Sequence, residues 1–188
     1  LRIQLLKRVD LPSSSPTSNS WLQAQLDFCI YLSRIGQVAR SKKLFQATEA
    51  ALVSSNVSDD FKQIFLLQYS KIYFDSGLHN EGFKALDKAH AASVETCDDA
   101  NSPVVMRRSL EIYRLRAQFN EELGDIVAAE ENWKHCLTTA EVIADVCPLP
   151  ENCLLLGSCL SEIACFHLNK GESENAIKYL KQRVESAR

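Results

Sequence analysis

From Trp21 onward, apolar residues recur at three- and four-residue spacing and the polar breaks are short, which is the periodicity of helices packed on one face. The pattern predicts helices over about 21–35, 38–54, 60–76, 79–95, 103–123, 125–145, 151–169 and 172–186. Asn19 and Ser20 are placed to cap the first, and Asp59 or Asp60 the third. Ser102 followed by Pro103 pairs a cap with a proline at the first helical position. Pro148 and Pro150 break the chain before the last two helices. No hairpin signal competes, so the expectation is all-α, with eight helices in four antiparallel pairs. Ahead of them, LRIQLLKRV over 1–9 has the pattern of a short amphipathic helix. DLPSSSPTSNS over 10–20 reads as a Ser/Pro-rich linker. Two regions follow: 1–20 as helix plus linker, and 21–188 as the helical domain. Ser15-Pro16 in the linker has the form of a proline-directed phosphorylation site, a dipeptide common in Ser-rich loops.

The turns inside the four pairs share a pattern: Gly36, Gly77, Gly124 and Gly171 each end a first helix. Five residues on stands a small residue (Ser41, Gly82, Ala129, Ala176), and four further a large apolar one (Phe45, Leu86, Trp133, Leu180). Glycine relieves the left-handed backbone of a helix C-cap. The small residue lets two helices approach, and the large one fills the space beside it. A generic bundle with coincidental glycines does not explain the constant offset. One role pattern repeated four times points to a helical repeat.

These residues resemble the tetratricopeptide repeat. The first helices agree, with Tyr69-Ser70 and Tyr73, Tyr113 and Ala117, and Ile163-Ala164 where that family places large and small residues. The glycines stand 41, 47 and 47 residues apart, longer than the usual period, and the family's first-helix Trp is missing unless Trp21 is a displaced version. The resemblance is to the degenerate long-helix variety, similar to that in kinesin light chain, anaphase-promoting-complex subunits and the amino-terminal superhelix of separase. It implies a right-handed α-α superhelix (solenoid) of about four antiparallel pairs. Such arrays act as non-catalytic scaffolds, holding a partner peptide or helix in a concave groove as a subunit or adaptor of an assembly. Two alternatives stand beside it: a regulatory repeat region of a larger enzyme of the separase kind, from the same likeness, and an end-to-end self-association module, from the apolar face of the last helix. The lysines and asparagines with which related arrays grip a chaperone's terminal carboxylate are not matched, since Leu26, Ile30, Leu67 and Lys71 occupy those positions.

Composition and charge narrow the function classes. The chain has 188 residues, 46% hydrophobic and 24% charged, enough for one packed domain and too apolar for native disorder. A net charge of −3 gives no electrostatic case for nucleic acid. No apolar run approaches the ~20 residues of a membrane span. The start at Leu1 rather than Met, and a last helix whose Ala176, Ile177 and Leu180 expect a following repeat, suggest a piece of a longer protein, with self-association through that last pair as another outcome. Seven cysteines, an odd number, fit a reducing compartment, cytoplasmic or nuclear, better than a disulfide framework. Cys147, Cys153, Cys159 and Cys165 recur every six residues, which spreads them round a helix rather than gathering them as zinc ligands. They read as buried structural thiols, and neither metal nor cofactor is expected. The sequon at Asn56 matters only for a secreted chain, so it reads as chance.

Catalysis is not expected. His135-Cys136 diverge by about 100° on a helix, and His167 lies two residues from Cys165. No phosphate loop, dinucleotide fingerprint or HExxH motif is present. The candidate site is instead a binding stripe on the first helices. In helix 60–76 the polar residues Gln68, Lys71 and Asp75 form one narrow line on an otherwise apolar helix, its expected wet edge. In helix 103–123 the polar arc carries Arg107, Glu111, Arg114, Gln118 and Glu121. Arg116 and Asn120 fall inside the apolar arc there, so Arg116 either reaches the edge or pairs with a carboxylate from a neighbouring helix.

Overall fold

The computed structural model describes residues 19–53, 59–95 and 102–186. The expected helix over 1–9, the linker with Ser15, the caps at Asn19, Ser20, Asp59 and Asp60, and the sequon at Asn56 lie outside the described side chains. Among the described residues the protein is all-helical, with eight helices and no strand: α1 (Asn19–Arg34), α2 (Val38–Val53), α3 (Asp59–Asp75), α4 (His79–Glu95), α5 (Pro103–Glu122), α6 (Ile126–Val146), α7 (Pro150–Asn169) and α8 (Ser173–Ser186). No described helix is long and apolar enough to cross a membrane.

Each pair closes through the same turn. Gly36, Gly77, Gly124 and Gly171 all take φ between 76° and 78°, the left-handed region that only glycine enters without strain. The amide after each glycine reaches back five residues to a carbonyl (Gln37 to Leu32, Leu78 to Tyr73, Asp125 to Asn120, Glu172 to His167), at 2.8–2.9 Å. The glycine amide itself reaches the carbonyl three residues back. This is the Schellman arrangement, and it satisfies carbonyls that the helix end leaves bare. The entries are less uniform. Asp125 caps α6 by accepting from the Ala128 amide at 3.1 Å. Ser102 stands at the cap of α5, but its hydroxyl makes no capping bond there, and Pro103 fixes the start instead. Pro150, expected as a breaker, is the first residue of α7, where its missing N–H costs nothing.

The small residues sit where paired helices come closest. Ser41, Gly82, Ala129 and Ala176 are all buried. A Cβ on Gly82 would stand 3.1 Å from the Ser70 carbonyl oxygen of α3. Ser41 donates its hydroxyl to the Cys29 carbonyl at 3.0 Å. The bulky partners form the layer between pairs. Phe45 stacks on Tyr69 with centroids 3.2 Å apart, and Tyr69 donates its hydroxyl to the Ser41 carbonyl at 3.0 Å. Trp133 packs among Cys159, Ile163 and Phe166 of α7. Leu180 of α8, in contrast, is 40% exposed.

Contacts between pairs run from first helix to first helix (α1–α3, α3–α5) and from second helix to the next first helix (α4–α5, α6–α7). One apolar cluster joins α1 to α5 through Phe45, Phe65, Tyr69, Phe74 and Phe119, and a second joins α5 to α8 around Trp133. Arg116 pairs with Asp87 of α4, the second of the two outcomes expected for it.

Candidate functional site

The stripe expected on α3 is open. Gln68, Lys71 and Asp75 are exposed, and Ile64, one turn earlier, joins them, so this edge is not purely polar. Gln68, Lys71, Ile72 and Asp75, with Ile30, Ser33 and Arg34 of α1, line a cleft of about 340 Å³ between α1 and α3. The glycine register explains why these residues meet. Ile30 and Lys71 each stand six residues before their glycine, and Arg34 and Asp75 each stand two before it. Equal offsets on neighbouring first helices face the same way. One end of the cleft is tied by Ser33 and Ser76, whose hydroxyls lie 2.8 Å apart.

The same register divides the α5 candidates. Gln118, six before Gly124, continues the line of Ile30 and Lys71, and Glu111 continues that of Ile64. Arg107, Arg114 and Glu121 belong to another face, the one α5 turns toward α7. Arg107 donates to Asn152 Oδ1 at 2.5 Å, and Glu121 accepts from Asn169 Nδ2 at 2.9 Å. Arg114 grips Glu162 with two bonds, Nε to Oε2 at 2.7 Å and Nη2 to Oε1, and also approaches Glu111 at 3.5 Å. Burial alone would lower the Arg114 pKa, but the Glu162 hydrogen bond and charge outweigh it and raise the group further. The expectation of one continuous wet stripe on α5 is therefore corrected. These three side chains tie α5 to α7, because a first helix in this stack has another first helix against that face.

Two residues of the open line escaped the sequence reading. Glu122, two before Gly124, is exposed like Arg34 and Asp75. Cys165, six before Gly171, holds the Lys71 position on α7 and is exposed, which corrects its reading as a buried thiol. Counting back from each glycine would have found both. Cys147 and Cys153 are half-buried, while Cys29, Cys136 and Cys159 are buried. The Cys136 and Cys159 sulfurs, on α6 and α7, lie 3.6 Å apart as free thiols.

His167, Glu172 and His135 have structural partners. His167 is buried, holds Glu172 through Nδ1 at 2.7 Å and stacks on Tyr179. Hydrogen bonds from Lys170, His167 and Asn175 hold the Glu172 carboxyl down at about 2. His135 stacks on Tyr113. Among the described residues no group of three or more His, Cys, Asp or Glu is placed to hold a metal. In the cleft, the side chains of Arg34, Lys71 and Asp75 make no hydrogen bond or ion pair with the described residues, unlike those of Arg114 and Arg107. No protein-family model matches this chain, and no curated protein matches it significantly.

Proposed function

We propose that the chain is a non-catalytic interaction scaffold of the tetratricopeptide kind. In this reading its four helix pairs form a right-handed superhelix, and the first helices line a concave groove that takes a peptide or helix of a larger assembly. The observation that carries the reading is the cleft between α1 and α3: an apolar floor of Ile30 and Ile72 beneath Arg34, Lys71 and Asp75. Charged side chains that have no partner among the described residues, at the edge of a preformed cleft, suit recognition of a short amphipathic segment. Two cations against one carboxylate favour an acidic or mixed-charge peptide. Further support comes from the four identical glycine caps and the buried small residues, the parts of a repeat that builds such a surface.

The test is selection of a displayed peptide library on the wild-type protein. Enriched peptides are expected to carry carboxylates, to bind Lys71→Glu at least tenfold more weakly, and to bind Lys43→Glu, on the exposed side of α2, unchanged. Peptides that ignore the Lys71 change, or that need Lys43, would overturn the reading.

A further inference from the structure

Three of the four second helices are roofed by the next pair, and the fourth is not. The residue nine positions after the turn glycine is buried as Phe45, Leu86 and Trp133, but Leu180 is 40% exposed. On either side of it along α8, Ile177 and Val184 are more than half exposed. The face continues onto α7. The α5 residues that grip α7, Arg107, Arg114 and Glu121, stand seventeen, ten and three residues before Gly124. The same offsets before Gly171 give Leu154, Ser161 and Leu168. Leu154 is 75% exposed and Leu168 half exposed, although their counterparts on α5 are engaged. Two cavities follow this face, one of about 790 Å³ bordered by Leu154, Gly157, Ser161 and Arg183, the other of about 370 Å³ bordered by Ile177, Leu180 and Val184. Together they form a trough with the outline of a seat for a first helix.

The opposite end presents a matching ridge. First helices press residues eight and five positions before their glycine into the preceding pair: Tyr69 onto Phe45, Phe119 onto Phe83, Arg116 onto Asp87, and Phe166 against Trp133. On α1 those offsets hold Phe28 and Tyr31, whose rings stack 6.3 Å apart. Tyr31 is 48% exposed, and Ile35 beside it is about as open. The polar register agrees as well. Asp27 occupies on α1 the position that Glu162 holds on α7, and Ser161 occupies on α7 the position of Arg114 on α5, so a further step of the same stacking would set the two opposite one another.

From this complementarity we infer that the trough of α7 and α8 binds the α1 ridge of a second copy of this chain. Phe28 and Tyr31 seat on Leu180 and Ile35 on Ile177, the register by which Tyr69 meets Phe45 and Lys170 meets Glu130 within the chain, and Asp27 comes opposite Ser161. The contact is head-to-tail and does not close on itself, so it yields a concentration-dependent series of oligomers rather than one dimer. The inference rests on the stacking register and is independent of what the cleft between α1 and α3 binds.

Sedimentation velocity on the full chain, over a wide concentration range, tests it. Wild-type protein is expected to shift to larger species with concentration. Ile177→Glu with Leu180→Glu removes the seat, and Tyr31→Glu with Ile35→Glu removes the ridge. Each variant is expected to stay monomeric, with helicity by circular dichroism confirming its fold. Mixed, the two variants retain one intact ridge and one intact seat, so they are expected to form a one-to-one dimer and nothing larger. Lys71→Glu is expected to associate like wild type, which separates this contact from the groove. A wild type that stays monomeric, a mixture that gives no dimer, or association abolished by the seat variant but untouched by the ridge variant would overturn the proposal.

Discussion

Replacing Arg114 by Met and Glu162 by Gln, singly and together, separates a structural tie from a free surface charge. The two side chains are 27% and 24% exposed and meet in a two-pronged geometry. An exposed ion pair contributes about 0.2–1 kcal/mol, whereas a hydrogen bond to a charged group contributes about 1.5–3 kcal/mol. Three-quarters burial places this pair between those limits, with a coupling energy of about 1–2 kcal/mol. Arg114→Met alone leaves Glu162 facing α5 without its counter-ion, so it is expected to cost about 2 kcal/mol, below the 3–5 kcal/mol of a fully buried break because water still reaches the carboxylate. Lys71→Met, at an exposed position with no partner among the described residues, is expected to fall within about 0.5 kcal/mol of wild type. Urea melts of the four proteins give the double-mutant cycle. A coupling below about 0.3 kcal/mol, or equal costs for Arg114→Met and Lys71→Met, would show that α5 and α7 are not joined through this pair.

Ala129→Leu forces three extra carbons into a fully buried site and is expected to cost about 1–3 kcal/mol, while Glu131→Leu on the exposed side of α6 costs under about 0.5 kcal/mol; equal urea midpoints would refute the small-residue role. Gly124→Ala strains a φ of 77° and is expected to cost about 1–2 kcal/mol. Gly157→Ala, inside α7 with its nearest neighbour 3.9 Å from the new Cβ, is expected to stabilise by about 0.5–1 kcal/mol, so thermal melts should move in opposite directions. Among the described cysteines, mass spectrometry after brief alkylation should find Cys165 labelled first and Cys29, Cys136 and Cys159 protected until unfolding. Burial pushes the Cys29 thiol up to about 11, against the opposing hydrogen bond with Ser41, which slows it further. Early labelling of Cys29 would contradict the packing of α1 on α2.

The helices were legible because their signals are local. Apolar spacing and the turn glycines place every described helix boundary within about two residues, since a Schellman cap is a short-range device. The α3 stripe was legible for the same reason. The α5 stripe was not, because helical periodicity finds a polar arc without saying what lies against it. Arg107, Arg114 and Glu121 look solvated in sequence, yet Asn152, Glu162 and Asn169, some 45–48 residues further on, engage them. Only the 47-residue register places those groups opposite one another. The Ser102 cap failed on a smaller scale: a cap residue identifies a position, while its hydroxyl's bond depends on a side-chain rotamer that composition does not fix.

The most direct measurement is calorimetric titration of a peptide selected on the wild-type protein into wild type, Lys71→Glu and Lys43→Glu. A groove on the first helices predicts at least a tenfold loss of affinity, about 1.4 kcal/mol, for Lys71→Glu. Lys43→Glu should match wild type, and the melting temperatures of all three should agree. Unchanged affinity for Lys71→Glu, or a loss confined to Lys43→Glu, would place binding on another face and contradict the groove.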